Sequence, residues 1–407
     1  MSYDLIVIGG GAAGFFGAIT FAEHGGGSTL IVERAAKPLG KVKISGGGRC
    51  NVTHACFEPR EFTKSYPRGA RALLGPLHRF GPEDTIEWFR ARGVELWTQD
   101  DGRMFPTTDD SQTIIDCLEG AAARAGVEIR TRCGIRSISR APAGFVLETE
   151  RGEILEARSV LIATGGTRVA EGARLVEQLG HTLEPAVPSL FTFKIDDPRI
   201  TDLPGIAVVV TECRVPGLPL VTKGPLQITH VGVTGPAILR LSAWGARELA
   251  AKDYRFTLQV NWLPDVDVAG VLQRQRERAG KQKMETRSPF EEIPKRLWLR
   301  FLDAAGVPAE QTWAELTKVQ RKALVAQLNR SEFAVAGKNL NKDEFVTCGG
   351  VRLKEIDPKT MESRRCPGVY FAGEVTDVDG ITGGFNFQNA WTGGHLAGLA
   401  AARAGQG

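Results

Sequence analysis

The sequence predicts an α/β protein: a parallel sheet begun by the first residues and completed by the last, with a β-rich middle region that carries a helical insertion. Three observations predict it. The first 33 residues run apolar strand, glycine turn, helix, apolar strand, a complete β-α-β unit within about 30 residues. After about residue 188 the texture changes to short strands and then to helices. A short apolar strand at 369–372 and a small-residue helix at 384–402 return near the end.

The elements follow in order. Residues 3–8 are Leu-, Ile- and Val-rich at consecutive positions, the pattern of a parallel strand buried on both faces. Residues 9–14 are a turn, 12–23 a helix and 29–33 a second strand. Residues 34–56 read as a long Gly-rich loop, and the stretch to about 125 as mostly helical, including 82–92 and 111–125. Residues 127–130 are another strand. Residues 144–149 and 153–158 alternate like a hairpin around Arg151-Gly152. Residues 159–163 are again a buried strand. Beyond 188, strand-like segments fall at 190–195, 206–215 and 254–261, with a helical pattern at 235–250. Helical patterns at 266–279, 291–304 and 312–327 come next, and strand character returns from 332. Three domains are expected: 1–188 plus 345–407, 189–263 plus 330–344, and the helical 264–329. No internal repeat or low-complexity tract is visible.

Composition bounds the function. Of 407 residues, 42% are hydrophobic and 24% charged, an ordinary globular balance. A formal net charge of +4 does not call for nucleic acid or membrane. The seven cysteines contain no C-x-x-C pair, so neither a zinc site nor a dithiol motif is signalled and no metal is expected. Scattered thiols fit a reducing cytoplasm. The first residues enter a strand at once, unlike a signal peptide, and no run of 18 apolar residues suggests a membrane span.

The 48 glycines cluster, and the clusters carry the chemistry. Gly9-Gly10-Gly11-Ala12-Ala13-Gly14 satisfies G-x-G-x-x-G between a strand and a helix, and Glu33 ends the next strand 19 residues after Gly14. Gly9 allows the tight turn, Gly11 the approach of a diphosphate and Gly14 close packing of helix on sheet. The phosphates then meet the helix N-terminus. Glu33 suits ribose hydroxyls and disfavours a 2′-phosphate.

Two further segments select FAD over a nicotinamide dinucleotide. Lys43-Ile44-Ser45-Gly46-Gly47-Gly48-Arg49-Cys50-Asn51 offers a flexible backbone surface flanked by donors, which suits diphosphate, ribityl and isoalloxazine contact. Residues 369–374 are a strand ending in Gly373-Glu374, where an acid can hold a ribityl hydroxyl. Thr382-Gly383-Gly384-Phe385-Asn386 then opens the last helix, whose N-terminus can face the flavin N1–C2=O edge and favour negative charge there. Thr164, Gly165 and Gly166 would close over the diphosphate. The candidate cofactor contacts are completed by Ala12, Ala13, Arg34, Lys41, Cys133 and Asp379. For Asp377 and Asp379, bracing of the C-terminal turn is the other reading, and for Cys50 it is packing.

SGGGRCNVT, THVGVTGP (229–236), TCGGV (347–351), TMES (360–363) and YFAGEVTDVDGITGGFNFQNAW together resemble the YhiN-like, BaiN-like NAD(P)/FAD-dependent oxidoreductases, some of them labelled aminoacetone oxidases. The resemblance spans essentially the whole chain. It implies a Rossmann-type FAD-binding domain of the glutathione-reductase kind, interrupted by a β-barrel-like domain that carries a helical insertion. His54 is a departure, since the family often has Asn after NVT.

No second G-x-G-x-x-G follows a strand, so any NAD(P)H must meet the flavin without a module of its own. His230, in a Gly-rich loop before a helix, is the candidate catalytic proton donor, with bracing of the loop as the other reading. Arg274, Arg276, Arg278, Lys281 and Lys283 read as a solvated helix face, so nucleic acid is not the expected partner. Three activities stay open: NAD(P)H-dependent reduction of a small organic substrate by hydride transfer from flavin N5, oxidation of a small aminoacetone-like amine with release of hydrogen peroxide, and a flavin-dependent role on RNA. A flavin-bound sensor without turnover is a further alternative.

Overall fold

The structure, a computed structural model, describes residues 2–167, 170–339 and 346–405. It divides into two compact units, 1–188 with 342–407, and 189–341. The expected domain edge at 344/345 lies outside the described residues.

The first unit is built on a seven-stranded sheet. Its parallel part runs Glu128–Arg130, Thr29–Val32, Ser2–Ile8, Ile154–Ile162. Leu5, Ile6, Val7 and Ile162 are completely buried, as strands covered on both faces require. The strand Ile154–Ile162 was expected as two pieces and is one. Its first half pairs antiparallel with Gly144–Thr149 and its second half pairs parallel with Val369–Phe371, along the same edge. A polar alternation and an apolar run therefore meet inside one strand, because only its second half lies between parallel neighbours. The C-terminal strand closes the sheet as expected.

The helix Ala12–Glu23 crosses the long C-terminal helix Phe385–Ala404 at very short range. A Cβ on Gly394 would stand 2.6 Å from the Ala13 carbonyl oxygen, and one on Gly398 2.3 Å from that of Gly17. The small residues of the last helix are thus a packing surface for the first.

The structure corrects three sequence expectations. The loop 34–56 contains a helix, Gly40–Gly48, whose first turn buries Val42 before Ser45 to Gly47 break it. The region expected to be mostly helical holds a three-stranded antiparallel sheet, Thr53–His54, Leu96–Thr98 and Arg103–Pro106. Strands of two to four residues carry too few alternations to register as a period. Ile135–Ala141 and Leu220–Thr229 are strands that the reading passed over; the second contains Lys223-Gly224-Pro225, residues that signal a break.

The second unit is a closed six-stranded barrel in the order Thr192–Ile195, Gly232–Thr234, Leu220–Thr229, Ala207–Val215, Phe256–Asn261, Ser331–Asn339. Its first and last strands pair with each other, so no open edge is left. The helices Val268–Arg278, Lys295–Ala304 and Lys318–Asn329 pack on the same core as the barrel, where Trp262, Trp298 and Trp313 are buried.

Candidate functional site

The first unit gathers its glycine motifs at the C-terminal ends of the parallel strands. Gly9 has φ of +112°, and a Cβ there would stand 2.3 Å from the Ala163 carbonyl oxygen. A Cβ on Gly14 would stand 2.0 Å from the Gly9 carbonyl oxygen. Gly11 differs, because among the described residues no atom beyond its own chain neighbours lies within 4 Å of its would-be Cβ. It precedes a helix whose N-terminus has no side-chain cap. Open space beside uncapped N–H groups, including those of Ala12 and Ala13, is where a diphosphate gains most.

Glu33 is half-buried and accepts hydrogen bonds from the N–H groups of Gly10 and Ala35, each 2.7 Å. Its carboxylate ties the glycine turn to the strand end and has lone pairs beyond those two bonds. Cys133 donates its N–H to the Glu33 carbonyl (2.9 Å), and burial raises its thiol pKa. Arg34 points outward and pairs with Glu171 (3.2 Å) and Glu150 (3.6 Å).

The second glycine cluster is a rim. Gly46, Gly47 and Gly48 take φ of +59°, +70° and +86°, three left-handed residues in a row that only glycine adopts cheaply. Gly47 and Gly48 face open space. Ser45 donates its hydroxyl to the Val42 carbonyl (3.0 Å), and the Arg49 guanidinium lies 4.1 Å from the centre of the Phe105 ring. Cys50 is completely buried, and burial pushes its thiol up to about 12. Its side chain packs in the core.

Glu374 gathers a third group. Its carboxylate pairs with Lys41 (2.5 Å) and accepts the Thr347 N–H (2.8 Å). Gly166 lies against both residues: a Cβ there would stand 2.0 Å from the Thr347 hydroxyl. Gly165 faces open space, and the neighbouring Thr164 hydroxyl is buried without a hydrogen-bond partner among the described residues. Gly373 packs on Ala13, which brings this group to the first glycine turn.

The C-terminal turn is held by the second glycine loop and the residues after it. With its amide nitrogen donating to the Met104 and Thr53 carbonyls, Asn51 accepts the Gly384 N–H at 3.0 Å. His54 sits 3.0 Å from the Gly383 carbonyl through Nδ1 and stacks on Phe385 at 4.7 Å. Burial lowers the His54 pKa. Asn386 clamps Gly380 with two hydrogen bonds, of 2.8 and 2.9 Å. Asp379 is completely buried and held bidentate by Arg68. It braces the turn and presents no surface to a ligand.

Sequence reading missed several residues that assemble this site. Gln388, fully buried, bonds Thr53, Thr85 and Thr392, and Trp391 donates to the Val52 carbonyl at 2.9 Å. Both lie in the FNFQNAW segment, where two buried polar-capable side chains among small residues were the available signal. Arg68 had none, since its partner is 311 residues away. His230 lies in the second unit, exposed at the tip of the hairpin joining Leu220–Thr229 to Gly232–Thr234.

The residues present fit FAD. Gly11, Gly47, Gly48 and Gly165 leave open space, a helix start is uncapped, and the Thr164 hydroxyl awaits a partner. No described helix is long and apolar enough to cross a membrane.

Comparison with known proteins agrees. The chain is 31% identical over 398 residues to the ribosomal RNA dihydrouridine synthase of Escherichia coli, an alignment covering 96% of each chain. It is 29% identical over 407 residues to the 3-dehydro-bile acid delta(4,6)-reductase of Clostridium scindens, covering 97% of this chain and 98% of that one. In fold it resembles the 3-ketosteroid-delta4-(5alpha)-dehydrogenase of Rhodococcus jostii RHA1, with a TM-score of 0.53 at 14% identity over 98% of this chain and 97% of that one. The HI0933-like protein Rossmann domain matches residues 3–400. The chain therefore belongs to the HI0933-like family, and it is an FAD-binding oxidoreductase of that family.

Proposed function

We propose that this chain uses bound FAD to saturate a carbon–carbon double bond conjugated to a carbonyl group, with NADH or NADPH as reductant. One observation carries the reading: the two relatives aligned over almost the whole chain share a bond change. Dihydrouridine is uridine with its pyrimidine double bond reduced, and a delta(4,6)-reductase removes double bonds conjugated to a 3-oxo group. Bound FAD would supply hydride transfer between the nicotinamide and the acceptor carbon, and the protein would supply the proton.

The chain's own residues supply binding and electrostatics. Glu33 and the uncapped helix start hold the adenosine and diphosphate end. Lys41, Glu374 and Thr347 form a polar group suited to the ribityl hydroxyls. The start of the helix Phe385–Ala404, fixed by Asn51, would favour negative charge on a group bound against it. His230 is the proton donor in this reading.

Anaerobic titration with NADH and with NADPH, followed in the visible spectrum, tests the first half-reaction. Mixing the reduced enzyme with uridine-containing RNA or a steroid dienone tests the second. A flavin that neither nucleotide bleaches removes the reading, and so does peroxide release from aminoacetone as the faster turnover. His230→Gln should lower kcat for double-bond reduction and leave flavin reduction by the nucleotide unchanged.

A further inference from the structure

We infer that Asn51 and His54 hold the peptide between Gly383 and Gly384 in one orientation, and that His54 is thereby a positioning residue for FAD, acting through the start of the last helix. This role rests on the part of the proposal above that seats FAD against that helix start, and on no choice of acceptor.

The glycine pair supplies both the freedom and the need. Gly383 has φ of +132° and Gly384 φ of +91°, so two consecutive residues lie where a side chain is strained. The peptide between them offers one N–H, on Gly384, and one carbonyl, on Gly383. Turning it over changes the Gly384 φ by half a turn, +91° − 180° = −89°, which with ψ of −8° is again an allowed backbone. A glycine pair tolerates both orientations, so its neighbours select one.

Two side chains of one short segment make the selection. Asn51 accepts the Gly384 N–H at 3.0 Å, and the His54 ring meets the Gly383 carbonyl through Nδ1 at 3.0 Å. An acceptor holds one end of the peptide and a donor the other. In the overturned peptide the carbonyl would face the Asn51 oxygen, and the N–H would face the hydrogen on Nδ1. The bond also fixes the tautomer, because only a protonated Nδ1 can donate to a carbonyl, and Nε2 is left as the atom that titrates. The ring has a seat of its own. It stacks on Phe385 at 4.7 Å, and a Cβ on Gly102 would stand 2.5 Å from Nε2. The two segments meet backbone to backbone as well, since a Cβ on Gly384 would stand 2.4 Å from the Thr53 carbonyl oxygen.

The held peptide contributes to the field at the helix start. The first intrahelical bond runs from the Gln388 N–H to the Gly384 carbonyl, so the N–H groups of Phe385, Asn386 and Phe387 precede it. Gly384 supplies no side-chain cap. One peptide carries a dipole of ~3.5 D, and overturning it would reverse its share of the potential at a group bound there. His54 adds a second influence when Nε2 takes a proton. Burial is the largest effect on its pKa and lowers it; the Gly383 bond and Asp101 raise it, and Arg103 lowers it. Phe385, across the ring, carries no charge. The ring therefore gains its second proton below the ordinary histidine value of about 6.5.

The test measures FAD affinity and the flavin midpoint potential, by anaerobic titration with dithionite and a reference dye, in the parent chain, His54→Asn and His54→Leu. Asn can place an amide nitrogen where Nδ1 stands and donate; Leu is of similar size and cannot. His54→Asn should bind oxidised FAD as the parent does. His54→Leu should bind reduced FAD about tenfold more weakly relative to oxidised FAD, a midpoint ~30 mV lower for a two-electron couple. As pH falls below about 6.5 the parent midpoint should rise more steeply than that of His54→Asn, because a protonated ring favours the reduced, negative flavin. A His54→Leu chain that melts lower yet keeps the parent ratio of affinities would make His54 a brace of the fold alone and overturn the inference. Midpoints of the parent and His54→Asn that run parallel with pH would overturn it too, and this comparison decides the matter if His54→Leu does not fold. Dithionite stands in for the nicotinamide and no acceptor is added, so a chain that ignores NAD(P)H or saturates no double bond loses the reductase reading and leaves this result intact.

Discussion

Arg68 holds Asp379 bidentate from 311 residues away, with the aspartate completely buried. The pair fastens the loop before the last helix to the segment Tyr66–Gly69, and Tyr66 adds a 2.6 Å bond to the Phe385 carbonyl. Arg68→Ala would leave a buried carboxylate without its strongest partner, a loss of about 3–5 kcal/mol. The expected outcome is a lower denaturation midpoint together with faster FAD release. Recovery by the double variant R68A/D379A would show that the unpaired charge, rather than the loop itself, is the cause.

Two glycines of the first turn should fail in different ways. Gly14→Ala puts a methyl 2.0 Å from the Gly9 carbonyl oxygen, so the apoprotein itself should lose about 1–3 kcal/mol. Gly11→Ala meets no atom of the described residues beyond its own chain neighbours within 4 Å, so the apoprotein should melt normally. FAD would meet that methyl, and its affinity should drop about tenfold or more, each tenfold corresponding to ~1.4 kcal/mol. Apoprotein melting and flavin content, measured on both variants, separate the cases.

His395 stacks on Phe80 at 4.3 Å, and burial with the nearby His24 lowers its pKa to about 4. His181, buried between Glu355 and Ser363, is also lowered, mainly by burial. A histidine whose folded pKa is depressed takes its proton more readily when unfolded. Its contribution is present above the unfolded value of about 6.5 and is lost as pH falls toward the folded one. Urea midpoints should therefore decline between pH 6.5 and pH 5, before most carboxylates titrate. His395→Gln should flatten that decline, and an unchanged slope would count against it.

Cys50 lies within the flavin loop and looks like a nucleophile by position. Its burial and a thiol pushed up to about 12 argue otherwise. Iodoacetamide at pH 8 should spare it in the native protein and label it after denaturation. Cys50→Ala should retain the flavin spectrum and the kcat of the parent chain; loss of turnover with full flavin content would show a chemical role.

By itself the sequence determined the β-α-β start, the FAD chemistry and the closing of the sheet by the last residues. Gly9 to Gly14 with Glu33 is a local pattern in which Gly14 answers to Gly9 and Gly10 to Glu33, although Gly9 itself also packs on Ala163. The glycine run 46–48 and the segment 373–386 were legible for the same reason: unusual backbone needs show as unusual composition. Tertiary structure alone decided how these pieces meet. That Asn51 caps Gly384, that Gln388 links Thr53 to Thr85, and that Arg68 neutralises Asp379 are pairings across more than 300 residues. A buried polar side chain must find a partner, and periodicity does not say which one. The short strands around Thr53 and the continuous strand Ile154–Ile162 went unread for a related reason. Their conformation is set by the strands beside them, and their own residues only permit it.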